Sequence, residues 1–284
     1  MMIMTRRVAF SAAVADWNDA LTPEENQARY GRNASPEPYG HNYILDVGVA
    51  GEIDAKTGML INIKELDRIV RDEAIQFLDR KFINRSVSDF RERAITPESL
   101  ADWIAAKVAP ALPDTIALAS VRLEESPERF AEWQKNEKNE IETRRRGRGM
   151  LLTHAYEFSA SHRLDSPHLT PEANRELFGK CNYENGHGHN YIVEVTVSGP
   201  VEARSGRVLD PELLDEIVNC EVINRYDHRH FNFDIPEFAG LIPSAEVITR
   251  VIWDRLREHI PAPARLARVV VRETARNIFE YTGE

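Results

Sequence analysis

The sequence predicts an α+β protein made of two copies of one ββααββ unit, each an antiparallel sheet carrying two helices. Two observations predict it. One is a gap-free internal repeat at an offset of 148 residues, and the other is the same succession of period-two and helical apolar patterns within each copy. The offset carries Phe10-Ser11-Ala12 onto Phe158-Ser159-Ala160 and Gly40-His41-Asn42-Tyr43 onto Gly188-His189-Asn190-Tyr191. It also carries Gly31, Gly58, Asp79, Asn84, Glu98 and Glu125 onto Gly179, Gly206, Asp227, Asn232, Glu246 and Glu273. Residues 1–136 and 150–284 are therefore expected to be duplicated domains. Residues 137–149, charged and with almost no apolar face, read as a solvated linker.

The elements are clearest in the second copy. Ala155–His162 and Tyr191–Ser198 alternate apolar and polar residues, the pattern of half-buried strands, and Gly206 marks a turn before Val208-Leu209. Pro211 suits an early helix position, and Leu213, Leu214, Ile217 and Val218 recur at helical spacing. Ser244 is a capping residue for a second helix that buries Ile248, Val251, Ile252 and Leu256. Leu266–Thr274 and Asn277–Tyr281 close the unit as two more strands.

Composition narrows the function. Lys+Arg number 36 against 46 Asp+Glu, a net charge of −10, which argues against binding a polyphosphate backbone over a broad face. The Arg144-Arg145-Arg146 run has no interleaved aromatics and reads as part of the solvated linker. No run of about 18 apolar residues predicts a membrane span, and Met1–Phe10 lacks the apolar stretch of a secretory signal. A soluble, cytoplasmic protein is expected. Cys181 and Cys220 are too few for a disulfide framework, so each is either packing or chemistry.

The chemistry gathers in the second half. His187-Gly188-His189 precedes a period-two strand, and residues two apart on a strand share a face, so two imidazoles stand side by side. His162, ending the first strand, supplies a third nitrogen. Three histidines without a fourth protein ligand suit a catalytic zinc, whose open position takes water or substrate oxygen. Cys181, flanked by Lys180 and Asn182, suits a thiolate base, because a nearby cation favours the thiolate. Cys220 is assigned to helix packing. Asp227 can accept the N–H of His228 at a turn, which fixes the tautomer. Glu273 on an apolar strand requires a donor, and a ligand with two adjacent N–H groups would satisfy both its oxygens.

Phe158–Leu164 (FSASHRL), Leu177–Tyr191 (LFGKCNYENGHGHNY), Tyr226–His228 and Arg272–Thr274 together resemble the 6-pyruvoyltetrahydropterin synthase family over the whole second half. The resemblance implies tandem tunnelling-fold (T-fold) domains, which assemble into stacked rings with sites between subunits. It implies conversion of 7,8-dihydroneopterin triphosphate to 6-pyruvoyltetrahydropterin with loss of triphosphate. Its site residues map to His162, His187 and His189 as ligands of one Zn²⁺ per chain and to Cys181 as the base. Asp227 and His228 map to a proton relay from a neighbouring subunit, and Glu273 to the anchor of the pterin's N–H edge. The related 6-carboxytetrahydropterin synthase of the queuosine route typically has three residues between its cysteine and HGH. Here there are five, Asn182 to Gly186, which favours the pyruvoyl-forming reaction. A non-catalytic pterin-binding protein is the third reading.

The stretch before the second helix departs from the family's threonine-rich pattern, reading Pro243-Ser244-Ala245-Glu246. In the first half Val14, Tyr39, Asn33 and Arg80 stand for His162, His187, Cys181 and His228, leaving His41, Asp79 and Glu125 of the set. That half is expected to be a degenerate domain without a complete zinc site, with Glu125 as the feature that favours a pterin-binding role instead. A homotrimer of two-domain chains, one ring of first halves stacked on one of second halves, is the expected assembly, with a small-molecule pterin and neither nucleic acid nor membrane as partner.

Overall fold

The computed structural model describes residues 2–91, 93–135 and 149–283. Residues 137–148 of the expected linker lie outside them, while Gly149 opens a strand. The chain divides into two compact units, Met1–Leu152 with Ser198–Val208, and Thr153–Val197 with Leu209–Glu284.

The first unit contains β1 (Met2–Val14), α1 (Pro23–Tyr30), β2 (Tyr39–Gly51), α2 (Ile63–Val70), α3 (Pro97–Val108), β3 (Ile116–Ser126) and β4 (Arg129–Gln134). The strands run β1-β2-β3-β4, with each neighbouring pair antiparallel. Period-two burial along β1 puts Val8, Phe10, Ala12 and Val14 against the helices. Thr96 caps α3 through a reciprocal box with Ser99, and Pro97 sits in its first turn, where no intrahelical N–H is needed. Leu100, Ile104 and Val108 of α3 are fully buried, joining Leu45, Val47 and Val121 of the sheet in the core.

The second repeat follows the same plan, most of it in the second unit, with β5 (Gly149–His162), α4 (Pro171–Phe178), β6 (His187–Gly199), α5 (Pro211–Val218), β7 (Arg229–His230), α6 (Ala245–Leu256), β8 (Arg265–Arg272) and β9 (Ile278–Tyr281). Strand order is β5-β6-β8-β9, and the two-residue β7 pairs parallel to β5. The antiparallel α+β expectation holds for both units. Ser244 caps α6 as expected, its side chain accepting from Val247 N. The core under the site is aromatic: Phe158 stacks on Tyr191 at 5.1 Å between centroids, and Tyr226 and Phe231 pack edge-on against Phe158. Phe10 and Tyr43 make the equivalent stack in the first unit, at 5.0 Å.

The assignment of Cys220 to packing is corrected. Leu214 and Val218 of α5 face inward, and Cys220, two residues beyond Val218 in the π-helical turn Asn219–Ile223, falls on the opposite side. Val222 is buried there, while Cys220 is exposed with its thiol 3.6 Å from Glu221 Oε1.

Candidate metal and pterin site

The three histidines meet. His162 ends β5 and is almost fully buried, and His187 and His189 begin β6, two apart on one face, so the HGH segment lies on the strand itself. One ligand atom from each lies within 4.8 Å of the others. The Nδ1 of His162 donates to the carbonyl of Pro243 at 2.7 Å, which leaves Nε2 as a lone-pair nitrogen facing His187 Nε2 at 3.2 Å. Burial holds the His162 and His189 imidazoles below their ordinary basicity, so both favour the neutral form that binds cations. The Nδ1 of His187 and the Nε2 of His189 are buried with no hydrogen-bond partner among the described residues. Ring nitrogens converging from three strand positions fit a cation, and among the described residues this group is three histidines, with Cys181 not a member.

Two glycines let the histidine-bearing strands approach. Gly186 has φ +68, and a Cβ there would lie 2.4 Å from the His162 carbonyl oxygen. At Gly188 a Cβ would stand 3.1 Å from the Ala160 carbonyl oxygen. Glu273 follows β8, with Oε1 3.7 Å from His162 Nε2 and 3.8 Å from His189 Nε2, while its Oε2 accepts from Asn277 Nδ2 at 3.1 Å. Its neighbour Arg272 pairs instead with Glu194 at 2.7 Å.

Cys181 is half-buried in a 3₁₀ turn, Gly179–Asn182. The turn is pinned by Leu164 N donating to the Cys181 carbonyl at 2.8 Å and by Asn182 Nδ2 donating to the Leu164 carbonyl at 2.7 Å. Burial, with a smaller contribution from the nearby Glu273 carboxylate, pushes the Tyr191 phenol well above its usual range. Asp227 and His228 form a pair of their own, Oδ2 to Nδ1 at 2.8 Å. Ser159 N donates to Asp227 Oδ1 at 2.9 Å, and His228 N donates to the Ser159 carbonyl at 2.6 Å. His228 adopts φ +57, uncommon outside glycine, and its side chain is 83% exposed. It opens onto a recess of about 500 Å³ that is also lined by His189, Ser161 and His230.

A family profile described as 6-pyruvoyl tetrahydropterin synthase matches residues 4–136 and again residues 151–284. The chain belongs to that family. The 6-pyruvoyl tetrahydrobiopterin synthase of Drosophila melanogaster is 42% identical over 133 residues, 47% of this chain and 79% of the relative. The Homo sapiens protein of the same name is 42% identical over 127 residues, 45% of this chain and 87% of the relative. The 6-carboxy-5,6,7,8-tetrahydropterin synthase of Bacillus subtilis is 27% identical over 135 residues, 45% of this chain and 86% of the relative. Among solved structures, Caenorhabditis elegans 6-pyruvoyl tetrahydropterin synthase is 35% identical, covers 49% of this chain and 99% of that one, and superposes with TM-score 0.47.

Within this pterin synthase family chain, the first unit keeps the backbone and closes the chemistry. His41 Nε2 lies 3.2 Å from Glu125 Oε1, and Tyr39, in the place of His187, donates its hydroxyl to Asp16 at 2.9 Å. Arg80 has φ +56, matching His228, and sits beside Asp79. The carboxylate that favoured a pterin-binding role is therefore engaged by a neighbouring imidazole.

Three positioning groups escaped the sequence reading. Pro243 acts through its carbonyl, which no residue type signals. Asn232 takes Arg163 N on Oδ1 at 2.8 Å and donates Nδ2 to the Arg163 carbonyl at 2.9 Å, clamping the chain directly after His162. Its repetition as Asn84, which clamps Ala15 in the same way, was the available signal. Gly186 needed its φ to be seen.

Proposed function

We propose that the second half binds zinc through His162, His187 and His189 and converts 7,8-dihydroneopterin triphosphate to 6-pyruvoyltetrahydropterin, eliminating triphosphate. The observation that carries this reading is the convergence of three imidazoles, His162 buried with its tautomer set by Pro243, with the Glu273 carboxylate 3.7 Å from His162 Nε2. When bound, zinc polarises the substrate's side-chain oxygens and acidifies the adjacent C–H. Cys181 as thiolate removes that proton. The Asp227–His228 pair moves protons at the neighbouring positions, Asp227 holding the His228 Nδ1–H so that Nε2 is left to exchange a proton. Glu273 orients the pterin by accepting from its adjacent amide and amine N–H groups. The first half serves the assembly rather than turnover, and the enzyme is a cytoplasmic homo-oligomer.

The 6-carboxytetrahydropterin reaction is the second reading, favoured by the Bacillus subtilis relative. The five residues between Cys181 and His187 support the pyruvoyl product over it. Incubating zinc-loaded protein with 7,8-dihydroneopterin triphosphate, with mass spectrometry of products and a count of released triphosphate, tests all three readings. A pyruvoyl product supports the proposal, a carboxy product with acetaldehyde moves the enzyme to the second reading, and binding without turnover leaves a pterin-binding protein.

A further inference from the structure

A recess of about 410 Å³ lies in the first unit, between the segment that follows β1 and residues 82–91, which precede α3. None of its lining comes from the second repeat. Ala15 and Phe90 are its buried lining, 4% and 3% exposed, and the half-buried Trp17 and Phe82 rings and the exposed Arg85 and Arg91 complete it. Hydrogen bonds tie the two segments together. Asn84 accepts from Ala15 N at 2.9 Å and donates to the Ala15 and Trp17 carbonyls at 2.9 and 3.1 Å, and Asn18 Nδ2 donates to the Arg91 carbonyl at 2.8 Å. The walls are therefore preorganised, which lowers the cost of binding.

The 148-residue offset shows what distinguishes this place from its counterpart. In the second repeat Asp165 Oδ1 accepts from Arg163 Nη2 at 3.2 Å and from Asn182 Nδ2 at 2.8 Å, so an anion and its donors satisfy one another within the chain. In the first repeat both donors are alanines, Ala15 and Ala34, and Trp17 stands for the carboxylate. A methyl group at Ala15 thus replaces a long cationic side chain, and an aromatic ring replaces the internal anion. The charge of the lining changes sign as well. Arg85 and Arg91 against Asp19 give +1, where the counterpart positions, with Arg163, Asp165 and Glu184, give −1. A basic recess in a chain of net charge −10 is a local departure that a small anion can use.

Arg85 is placed to receive it. Its guanidinium lies 5.2 Å from the centroid of the Phe82 ring, and it stands 3.8 Å from Asp19 Oδ2, beyond hydrogen-bond distance. Among the described residues its side chain makes no hydrogen bond, so its planar fork of donors is left for a ligand. The volume falls within the range of about 300–1,000 Å³ usual for small-molecule sites.

We propose that the first unit carries a binding site of its own for a small planar aromatic anion, with the ring beside Trp17 and Phe82 and the acidic group paired with Arg85. This site is separate from the three histidines and does not rest on the reaction proposed for the second repeat.

Calorimetric titration of the zinc-loaded full chain with indole-3-carboxylate, and with its neutral isostere indole-3-carboxamide, tests this. The carboxylate should bind one site per chain with a Kd of about 1 mM or below, and the carboxamide about tenfold more weakly. Arg85→Gln changes an exposed side chain and should weaken the carboxylate about tenfold while leaving the carboxamide unchanged. Ala15→Leu, which fills the recess, should weaken both probes, and Glu273→Gln, in the other repeat, should bind both as wild type does. No binding of the carboxylate, equal affinity for the two probes, or an Arg85→Gln variant that binds the carboxylate as wild type does would each overturn the proposal. Loss of binding in Glu273→Gln would also overturn it, by putting the probe in the second repeat. If Ala15→Leu does not fold, the two probes on Arg85→Gln decide.

Discussion

Gly186→Ala separates the backbone that presents the histidines from the histidines themselves. Two penalties add. An alanine held at φ +68 costs about 1–2 kcal/mol in left-handed backbone. Its Cβ, 2.4 Å from the His162 carbonyl oxygen and 3.0 Å from His230 Nε2, adds an overpacking cost of about 1–3 kcal/mol, because a backbone atom cannot rotate aside. Relief must come from moving His162 or the adjacent His187, and either displaces a ligand. Zinc affinity should therefore fall about 10- to 100-fold, the loss typical when a group supporting metal ligands is disturbed. Chelator competition gives the affinity, and thermal unfolding of the metal-free protein gives the stability cost. Gly240→Ala is the control, since Gly240 also has positive φ, +80, but a Cβ there meets nothing within 4 Å. It should lose stability through backbone strain alone and bind zinc as wild type does. Equal zinc affinity in both variants and wild type would refute the claim that close approach at Gly186 builds the site.

Cys181→Ala should lower kcat about 10²- to 10⁴-fold, the usual weight of a positioned base, with zinc content unchanged; loss of zinc would remove the base assignment. Glu273→Gln keeps the size of the side chain but presents one acceptor instead of two, so KM for the pterin should rise at least tenfold while bound zinc stays stoichiometric, as read by steady-state kinetics and metal analysis. Burial pushes the Glu98 carboxyl above its ordinary value of 4.5, so the folded chain favours the protonated acid. Its stabilising contribution is therefore complete below the unfolded value and is lost as pH rises through the higher folded value. Glu98→Gln retains an acceptor for Val208 N and should unfold at a higher temperature than wild type above pH 6 with no gain at pH 4, whereas Glu98→Ala, leaving Val208 N unsatisfied, should lose about 1–3 kcal/mol at both. A pH-independent difference between wild type and Glu98→Gln would contradict the burial argument.

What the sequence made legible was periodic or repeated. The strand bearing Phe158 and the helix capped by Ser244 carry alternation or a capping signal, and the 148-residue offset converts one reading into two. The three histidines were legible because strand geometry puts residues two apart on one face, and that geometry needs no tertiary knowledge. What stayed hidden lacks a residue-level signature. β7 is two residues long, too short to show a period. The π turns at Arg71–Ile75 and Asn219–Ile223 carry no marker residue, and Cys220 faces outward because it lies two residues beyond the inward-facing Val218. α4 was missed although Thr170 and Pro171 form a standard cap and first turn, because its single buried residue, Asn174, is polar and breaks no apolar pattern.

The two repeats share a fold and differ in whether the imidazoles and carboxylates at this one place pair with each other. In the first, the surviving imidazole and carboxylate answer each other across 3.2 Å, and Tyr39 answers Asp16. Val14 stands where the second repeat has His162, so one nitrogen is missing, and among the described residues of the first repeat no group of three donors comes together. In the second, His187 Nδ1 and His189 Nε2 stay unpartnered in the interior, each at a cost of about 1–3 kcal/mol. Glu273 stands beyond hydrogen-bond distance of the nearby imidazoles, at 3.7 and 3.8 Å. Such a cost persists in a fold that could close it, as its own duplicate has done, only where something outside the chain relieves it. A cation bound among the three imidazoles would do so at His189 Nε2, while Glu273, with Oε2 already accepting from Asn277, keeps Oε1 for a further donor. The contrast within one chain is therefore the physical argument for assigning the chemistry to the second repeat.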